Sequence, residues 1–89
     1  MPRLEFSKRF ADDLAAVTSP RVEANVMRAL DAIESFGSFG FPLMPDSIKK
    51  RYGDGIRKVV VRPFGLIYTH YPDKDLVRVE ALIYARSVS

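Results

Sequence analysis

The residues of this chain best suited to chemistry are arginines and tyrosines, and they lie in its second half. Arg57, Arg62, Arg78 and Arg86 each carry a planar guanidinium that can hold a phosphate through two parallel hydrogen bonds. Tyr68 and Tyr84 add aromatic rings on which unpaired bases can stack beside such groups. A tyrosine hydroxyl among arginines could also move a proton while a 2′-OH attacks the neighbouring phosphate, a route to RNA cleavage. Lys49, Lys50, Arg51 and Lys58 enrich the same stretch: residues 37–62 hold six Lys/Arg against two Asp/Glu. Residues 1–36 hold five against six, and residues 63–89 three against three. The net charge of +3 is therefore concentrated in one middle segment, which favours an anionic partner there: RNA, DNA or an acidic protein. A plain solvated surface is the competing reading of those charges. Strand tyrosines, too, commonly pack with the hydroxyl left in water. His70, at a strand end beside Tyr71 and Pro72, reads as a surface histidine.

Other chemistries find little support. The chain has no cysteine, which removes disulfides and thiolate chemistry, and its single histidine argues against a zinc site. No metal or cofactor is expected. Gly53-Asp54-Gly55 lacks the Lys-Ser/Thr and helix of a phosphate-binding loop, and no Gly-x-Ser-x-Gly elbow is present. Asp12 and Asp13 are adjacent, so on a helix they diverge; both are expected on a solvated face. No apolar run approaches the ~20 residues of a membrane span. Leu4-Glu5-Phe6 begins an alternating pattern with no leader-like apolar stretch before it, so a cytoplasmic protein is expected.

Eighty-nine residues, 47% of them hydrophobic, are expected to form one globular domain over 1–89. Leu4–Phe6 is a short first strand. Ser7 can cap a helix over about 8–17, with Phe10, Leu14 and Val17 on one stripe. Ser19-Pro20 starts a second helix, serine as cap and proline at the first position, and Gly37 ends it. Few residues join the two, which predicts an antiparallel helical hairpin. GSFGFPLMPDS, residues 37–47, predicts an irregular connection whose Phe39, Phe41, Leu43 and Met44 include cover for a core edge. A short turn over Ile48–Tyr52 follows, with Gly53-Asp54-Gly55 as its exit. Arg57–Arg62 predicts a central strand with both faces buried or half buried at Val59-Val60-Val61, and Pro63-Phe64-Gly65 turns or bulges into Leu66–Tyr71. Pro72–Asp75 makes a hairpin turn into Leu76–Ala85. There Val77, Val79, Ala81 and Ile83 alternate with Arg78, Glu80, Leu82, Tyr84 and Arg86. The order β-α-α-β-β-β predicts an α+β fold: a two-helix hairpin on one face of a mostly antiparallel four-stranded sheet. The other face, left open, is where Tyr68, Tyr84 and the arginines are expected to converge.

The second half also carries a resemblance. Gly55-Ile56-Arg57-Lys58-Val59-Val60-Val61-Arg62-Pro63-Phe64-Gly65-Leu66-Ile67-Tyr68 resembles the "Gly-x-Arg-x-hydrophobic … Tyr/Phe-Arg-hydrophobic-hydrophobic-Tyr" stretch of the RelE/ParE superfamily. Val77 to Arg86 is similar to that family's last strand, which commonly finishes "His-x-Arg". Leu4-Glu5-Phe6-Ser7, followed by Phe10 to Leu14, matches its usual opening. The resemblance implies the growth-inhibiting toxin of a type II toxin–antitoxin pair, of the kind associated with plasmid stabilisation. Its partner would be a cognate antitoxin that wraps an acidic extended or helical segment over it. RelE-like members cut mRNA on the ribosome with a cluster of Lys, Arg and a terminal Tyr or His, whereas ParE-like members inhibit DNA gyrase without one. Carried onto this chain, Tyr84, Arg86 and Arg62 would be catalytic. Lys49, Lys50, Arg51, Arg57, Lys58, Arg78 and Tyr68 would bind nucleic acid. Two departures stand out: Gly65 occupies the place of a common arginine, and Tyr84 that of the common histidine. A missing arginine withdraws transition-state stabilisation from a scissile phosphate, and a tyrosine hydroxyl, with its pKa of ~10, is the poorer base. Gyrase inhibition, or a degenerate toxin that only binds its antitoxin, are the alternatives.

Overall fold

A computed structural model describes residues 1–42 and 55–84. In chain order these form β1 (Arg3–Phe6), α1 (Lys8–Ala15), α2 (Pro20–Ser35), β2 (Phe41–Pro42), β3 (Ile56–Val61), β4 (Phe64–Tyr71) and β5 (Leu76–Tyr84). The sheet order is β1-β5-β4-β3-β2, with β1 parallel to β5 and every other pair antiparallel. The α+β class and the two-helix layer are as expected. The sheet differs by one strand, because two residues of the Gly/Pro-rich connection pair with the start of β3 (Phe41 with Lys58, Pro42 with Arg57). Such a short edge strand leaves no alternation long enough to read from sequence.

Local chemistry sets the helix starts. The Ser7 hydroxyl accepts the Phe10 N–H at 2.9 Å, and the Ser19 hydroxyl accepts the Val22 N–H at 3.3 Å, with Pro20 in the first turn. Helix α1 stops at Ala15, two residues short of the expected end, and α2 is capped at Phe36, just before Gly37. α1 packs over β5 and α2 over β3. Phe10, Val26, Leu30 and Ile33 thereby bury against Leu66, Tyr68, Val77, Val79 and Leu82, each large side chain contributing about 1.5–3 kcal/mol.

β1 ends too early to cover all of β5, and α1 takes over the edge. Ser7 N–H donates to the Val79 carbonyl at 3.0 Å. Its hydroxyl donates to the Glu80 carbonyl at 2.6 Å, and the Asp13 carboxylate accepts the Leu82 N–H at 2.9 Å. Asp13 is thus a structural group and not part of a solvated face; Asp12 does stay exposed, paired with Lys8 at 3.2 Å.

A bulge corrects the expected faces of the last strand. Tyr68 pairs with Val79 but Ile67 pairs with Ala81, so Glu80 is the extra residue. Val77, Val79 and then Leu82 face the helices, while Ala81 and Ile83 fall on the opposite face with Ile56 and Ile67. One inserted residue reverses every later side chain, a shift invisible to strict alternation. Burial along the triplet Val59-Val60-Val61 is uneven between the two faces. Val61 is buried under the helices, whereas Val60, on the opposite face and paired with the side-chain-free Gly65, is 49% exposed.

Candidate functional site

The β3–β4 turn and the end of β5 meet at one end of the sheet. Val61 pairs with Phe64 across the two-residue turn Arg62-Pro63, and Phe64 in turn pairs with Tyr84. The Phe64 and Tyr84 rings lie 4.9 Å apart at 35°, which fixes the Tyr84 ring while leaving the residue 56% exposed. Arg62 is exposed in the adjoining turn. Both residues are exposed at this end of the sheet, Arg62 also lining a groove beside Arg28 of α2. Beyond the bulge Tyr84 shares the helix-side face with Phe64, a correction to its expected place on the open face.

Lys58 approaches from the other side of the sheet. Its pairing with Ile67 puts it on the face away from the helices. There its stem lies over Gly65; a Cβ built on that glycine would sit 3.2 Å from the Lys58 Cδ. Gly65, where the resemblance implies an arginine, therefore lies beneath the Lys58 stem.

Two expected site residues, Tyr68 and Arg57, do other work. Tyr68 is fully buried on the helix side, not on the open face. Its hydroxyl donates to the Gly37 carbonyl at 2.9 Å and accepts the Gly40 N–H at 2.7 Å. It has no surface on which a base could stack. Burial pushes its pKa above the usual tyrosine value, opposed by the Gly40 N–H and the charge of Arg57. Arg57 also turns inward, donating to the Gly40 carbonyl at 2.7 Å and the Ser38 carbonyl at 3.4 Å. Together Tyr68 and Arg57 tie down the segment leading from α2 into β2. His70 packs against Gly37, and its pKa is lowered by burial and then by Arg57, with Asp75 acting the other way.

Arg78 is exposed but bonds through Nε to Glu80 Oε1 at 3.2 Å, while Thr69 donates to Glu80 Oε2 at 2.9 Å. The bulge residue therefore sets a carboxylate beside Arg78, which counters any phosphate there. Arg78 also pairs opposite Thr69, six residues before Tyr84, or roughly 20 Å along the strand. The expected convergence on one open face is not found among the described residues: Tyr84 and Arg62 lie towards one end of the sheet, and Lys58 lies on the face opposite to Tyr84. The face away from the helices holds its own buried apolar cluster of Ile56, Ile67 and Ala81. Lys49, Lys50, Arg51 and Arg86, and the expected turn over 48–52, lie outside the described residues, as do Leu43 and Met44. Phe39 and Phe41 are 50% and 76% exposed and do not cover the core edge as expected. Among the described residues no group of three or more His, Cys, Asp or Glu side chains is placed to hold a metal ion. No described helix is long and apolar enough to cross a membrane.

No family model matches the sequence, and no curated protein matches it. Solved structures do match its shape. The isolated RelE toxin of E. coli superposes with a TM-score of 0.73 at 17% identity, over 96% of this chain and 85% of that one. A chain of the intact E. coli RelBE toxin–antitoxin complex gives 0.70 at 17% identity, over 96% and 98%. A mutant of E. coli YafQ gives 0.64 at 20%, over 98% and 97%. The chain has a RelE-like fold. The RelE/ParE likeness first visible in short sequence motifs extends across almost the whole described architecture.

Proposed function

We propose that this chain, acting as one domain over residues 1–89, is the cytoplasmic toxin of a type II toxin–antitoxin pair and a ribosome-dependent mRNA endonuclease. The observation that carries this reading is the exposed Tyr84 phenol, fixed on Phe64 at the end of the sheet in a RelE-like fold, with Arg62 in the adjoining β3–β4 turn. In the reaction the 2′-OH of a bound message gives its proton to solvent water as it attacks its own 3′-phosphorus to form a 2′,3′-cyclic phosphate, and the P–O bond to the 5′ oxygen breaks. Tyr84 donates its hydroxyl proton to that leaving oxygen. Arg62 and Arg86 hold the phosphate oxygens as charge accumulates on them. Lys58, Lys49, Lys50 and Arg51 hold the flanking backbone electrostatically. Arg57 and Tyr68 serve by fixing the segment that leads towards the last three of these. A cognate antitoxin with an acidic segment restrains the toxin, a partnership supported by the likeness to a chain of the RelBE complex.

Induction of the chain in a bacterial host, with growth followed alongside mapping of mRNA 5′ ends, tests the reading. Arrest with new ends inside translated messages is expected. A folded Tyr84→Phe variant should lose about 10²–10⁴-fold in cleavage, the usual worth of a general acid. Gly65 and the absent histidine favour a second reading, a ParE-like gyrase inhibitor; arrest with intact messages and impaired supercoiling would select it. No arrest at all would leave a chain that only binds its antitoxin.

A further inference from the structure

Phe41 of β2 is 76% exposed, and among the described residues no aromatic is more so. Poor ordering is not the cause, because the backbone that carries it is clamped. The Gly40 N–H donates to the buried Tyr68 hydroxyl at 2.7 Å, and the Gly40 carbonyl accepts from Arg57 at 2.7 Å. Phe41 itself then pairs with Lys58 across the β2–β3 ladder. Hydrogen bonds made by its neighbours thus fix the ring in place while leaving it in water.

Cross-strand partners share a face of the sheet, so the Phe41 ring and the Lys58 stem start about 5 Å apart on the face away from the helices. Val60 is the next β3 residue on that face, a diagonal neighbour of Phe41. Opposite the side-chain-free Gly65 it remains 49% exposed. An anchored ring, a cation one strand away and an apolar side chain beside both suit an unpaired base and its phosphate. The charge of the surrounding stretch points to an anion too, residues 37–62 holding six Lys/Arg against two Asp/Glu.

We propose that Phe41 and Lys58 form a nucleotide subsite for single-stranded RNA, the base stacked on the Phe41 ring and the adjoining phosphate held at Lys58. The inference rests on the reading of this chain as an RNA-cutting toxin, and it names where that RNA is gripped away from the cleaved bond. Lys58 precedes Arg62 by four residues, roughly 13 Å along β3. A strand engaged at both therefore rounds the β3–β4 turn towards Tyr84. A ring reads no hydrogen-bonding edge, so base preference at the subsite is modest and follows stacking strength. A peptide is the poorer occupant, because one ring beside one cation offers no row of pockets for alternate side chains.

The chain has no tryptophan, so Phe41→Trp creates a single fluorescent reporter at the subsite. The probe is a 2′-O-methyl hexaadenylate, which cannot be cut because its 2′ oxygens are blocked. It should quench the indole at position 41. Phe36→Trp should not respond, since Phe36 is 69% exposed but caps α2 and pairs with no strand. Phe41→Ala should weaken binding of the labelled probe about 5–100-fold, the worth of stacking one base. Lys58→Gln should lower the slope of log K against log salt by about 0.7, one phosphate contact on a single strand. Absence of binding, equal affinity of Phe41→Ala and the parent, or equal quenching at both positions would overturn the inference. So would quenching by protein concentration alone, or by an acidic peptide and not by the probe. Failure of the toxin reading looks different. Probe binding with these signatures in a chain that neither arrests growth nor cuts messages removes the endonuclease and leaves the subsite. Message cleavage indifferent to Phe41→Ala does the reverse.

Discussion

Replacing Tyr68 with phenylalanine removes one oxygen atom, and the structure fixes what is left behind. The Gly40 N–H and the Gly37 carbonyl both lose their partner in a buried setting, at 2.7 and 2.9 Å from the missing atom. A buried donor or acceptor left without a partner costs about 1–3 kcal/mol. The carbonyl, with two lone pairs, tolerates the loss better than the N–H. The pair should therefore cost roughly 2–4 kcal/mol, a large share of the 5–15 kcal/mol total typical of a small domain. For a chain of 89 residues that corresponds to a fall in Tm of roughly 10–25 °C. Urea unfolding followed by far-ultraviolet circular dichroism reads the effect as a lower midpoint at unchanged slope. Tyr84→Phe is the internal control. It removes the same atom from a residue that is 56% exposed, and it should change stability by no more than about 0.5 kcal/mol while abolishing the proposed cleavage. Equal stability losses in the two variants, or a Tyr68→Phe protein as stable as the parent, would refute the assignment of Tyr68 to structure and Tyr84 to chemistry.

Asp13→Ala strips the Leu82 N–H of its acceptor and should destabilise by about 1–3 kcal/mol, whereas Asp12→Ala should change little; thermal melts of the two side by side decide it. Gly55→Ala should be far more damaging than Gly65→Ala: at Gly55 a new Cβ meets the His70 backbone oxygen at 2.6 Å, at Gly65 only the yielding stem of Lys58 at 3.2 Å. Relative yields of folded protein and urea midpoints would show the order. His70 gives a pH dependence. Its folded pKa lies below the unfolded value of 6.5, so the unfolded chain takes up a proton more readily. Stability should fall as pH drops below about 6.5, through the lowered folded value, and rise again on return to neutrality. His70→Gln should flatten that slope between pH 7.5 and 5.5; an identical slope in both proteins would show that other groups carry it.

The caps and periods of this chain are local signals, which is why Ser7, Ser19-Pro20 and the apolar stripe of α2 locate both helices closely. The three long strands follow from their β-branched and aromatic runs. What the sequence conceals are non-local decisions. Nothing near Glu80 distinguishes it from an ordinary outward-facing residue, and the bulge appears only when β4 and β5 are set in register. That one step decides which face receives Tyr84. Tyr68 carries a faint clue, since it closes the apolar run Leu66-Ile67-Tyr68, more fitting for a buried tyrosine than an exposed one. The acceptor role of Asp13 depends on a strand 69 residues away and has no signature in its neighbours. The candidate residues were therefore legible as a set of residue types, while which of them share a face depends on strand pairing.

The position of β5 has a consequence for how the molecule comes into being. It follows every other described element in the chain, yet it lies inside the sheet between β1 and β4. Ser7 and Asp13 find their partners only on β5, 73 and 69 residues further on. During synthesis at about 5–20 residues per second, Phe10 must wait roughly 4–15 s before the strand that shelters it has been made. Until then β1 has no neighbour, and the apolar stripes of both helices have only half a sheet to rest on. Closure joins the two ends of the chain in one late step, so folding is slow for the molecule's size and couples the earliest residues to the last strand. A nascent chain interrupted before β5 would be an aggregation-prone fragment, and the Tyr84–Phe64 contact would never form.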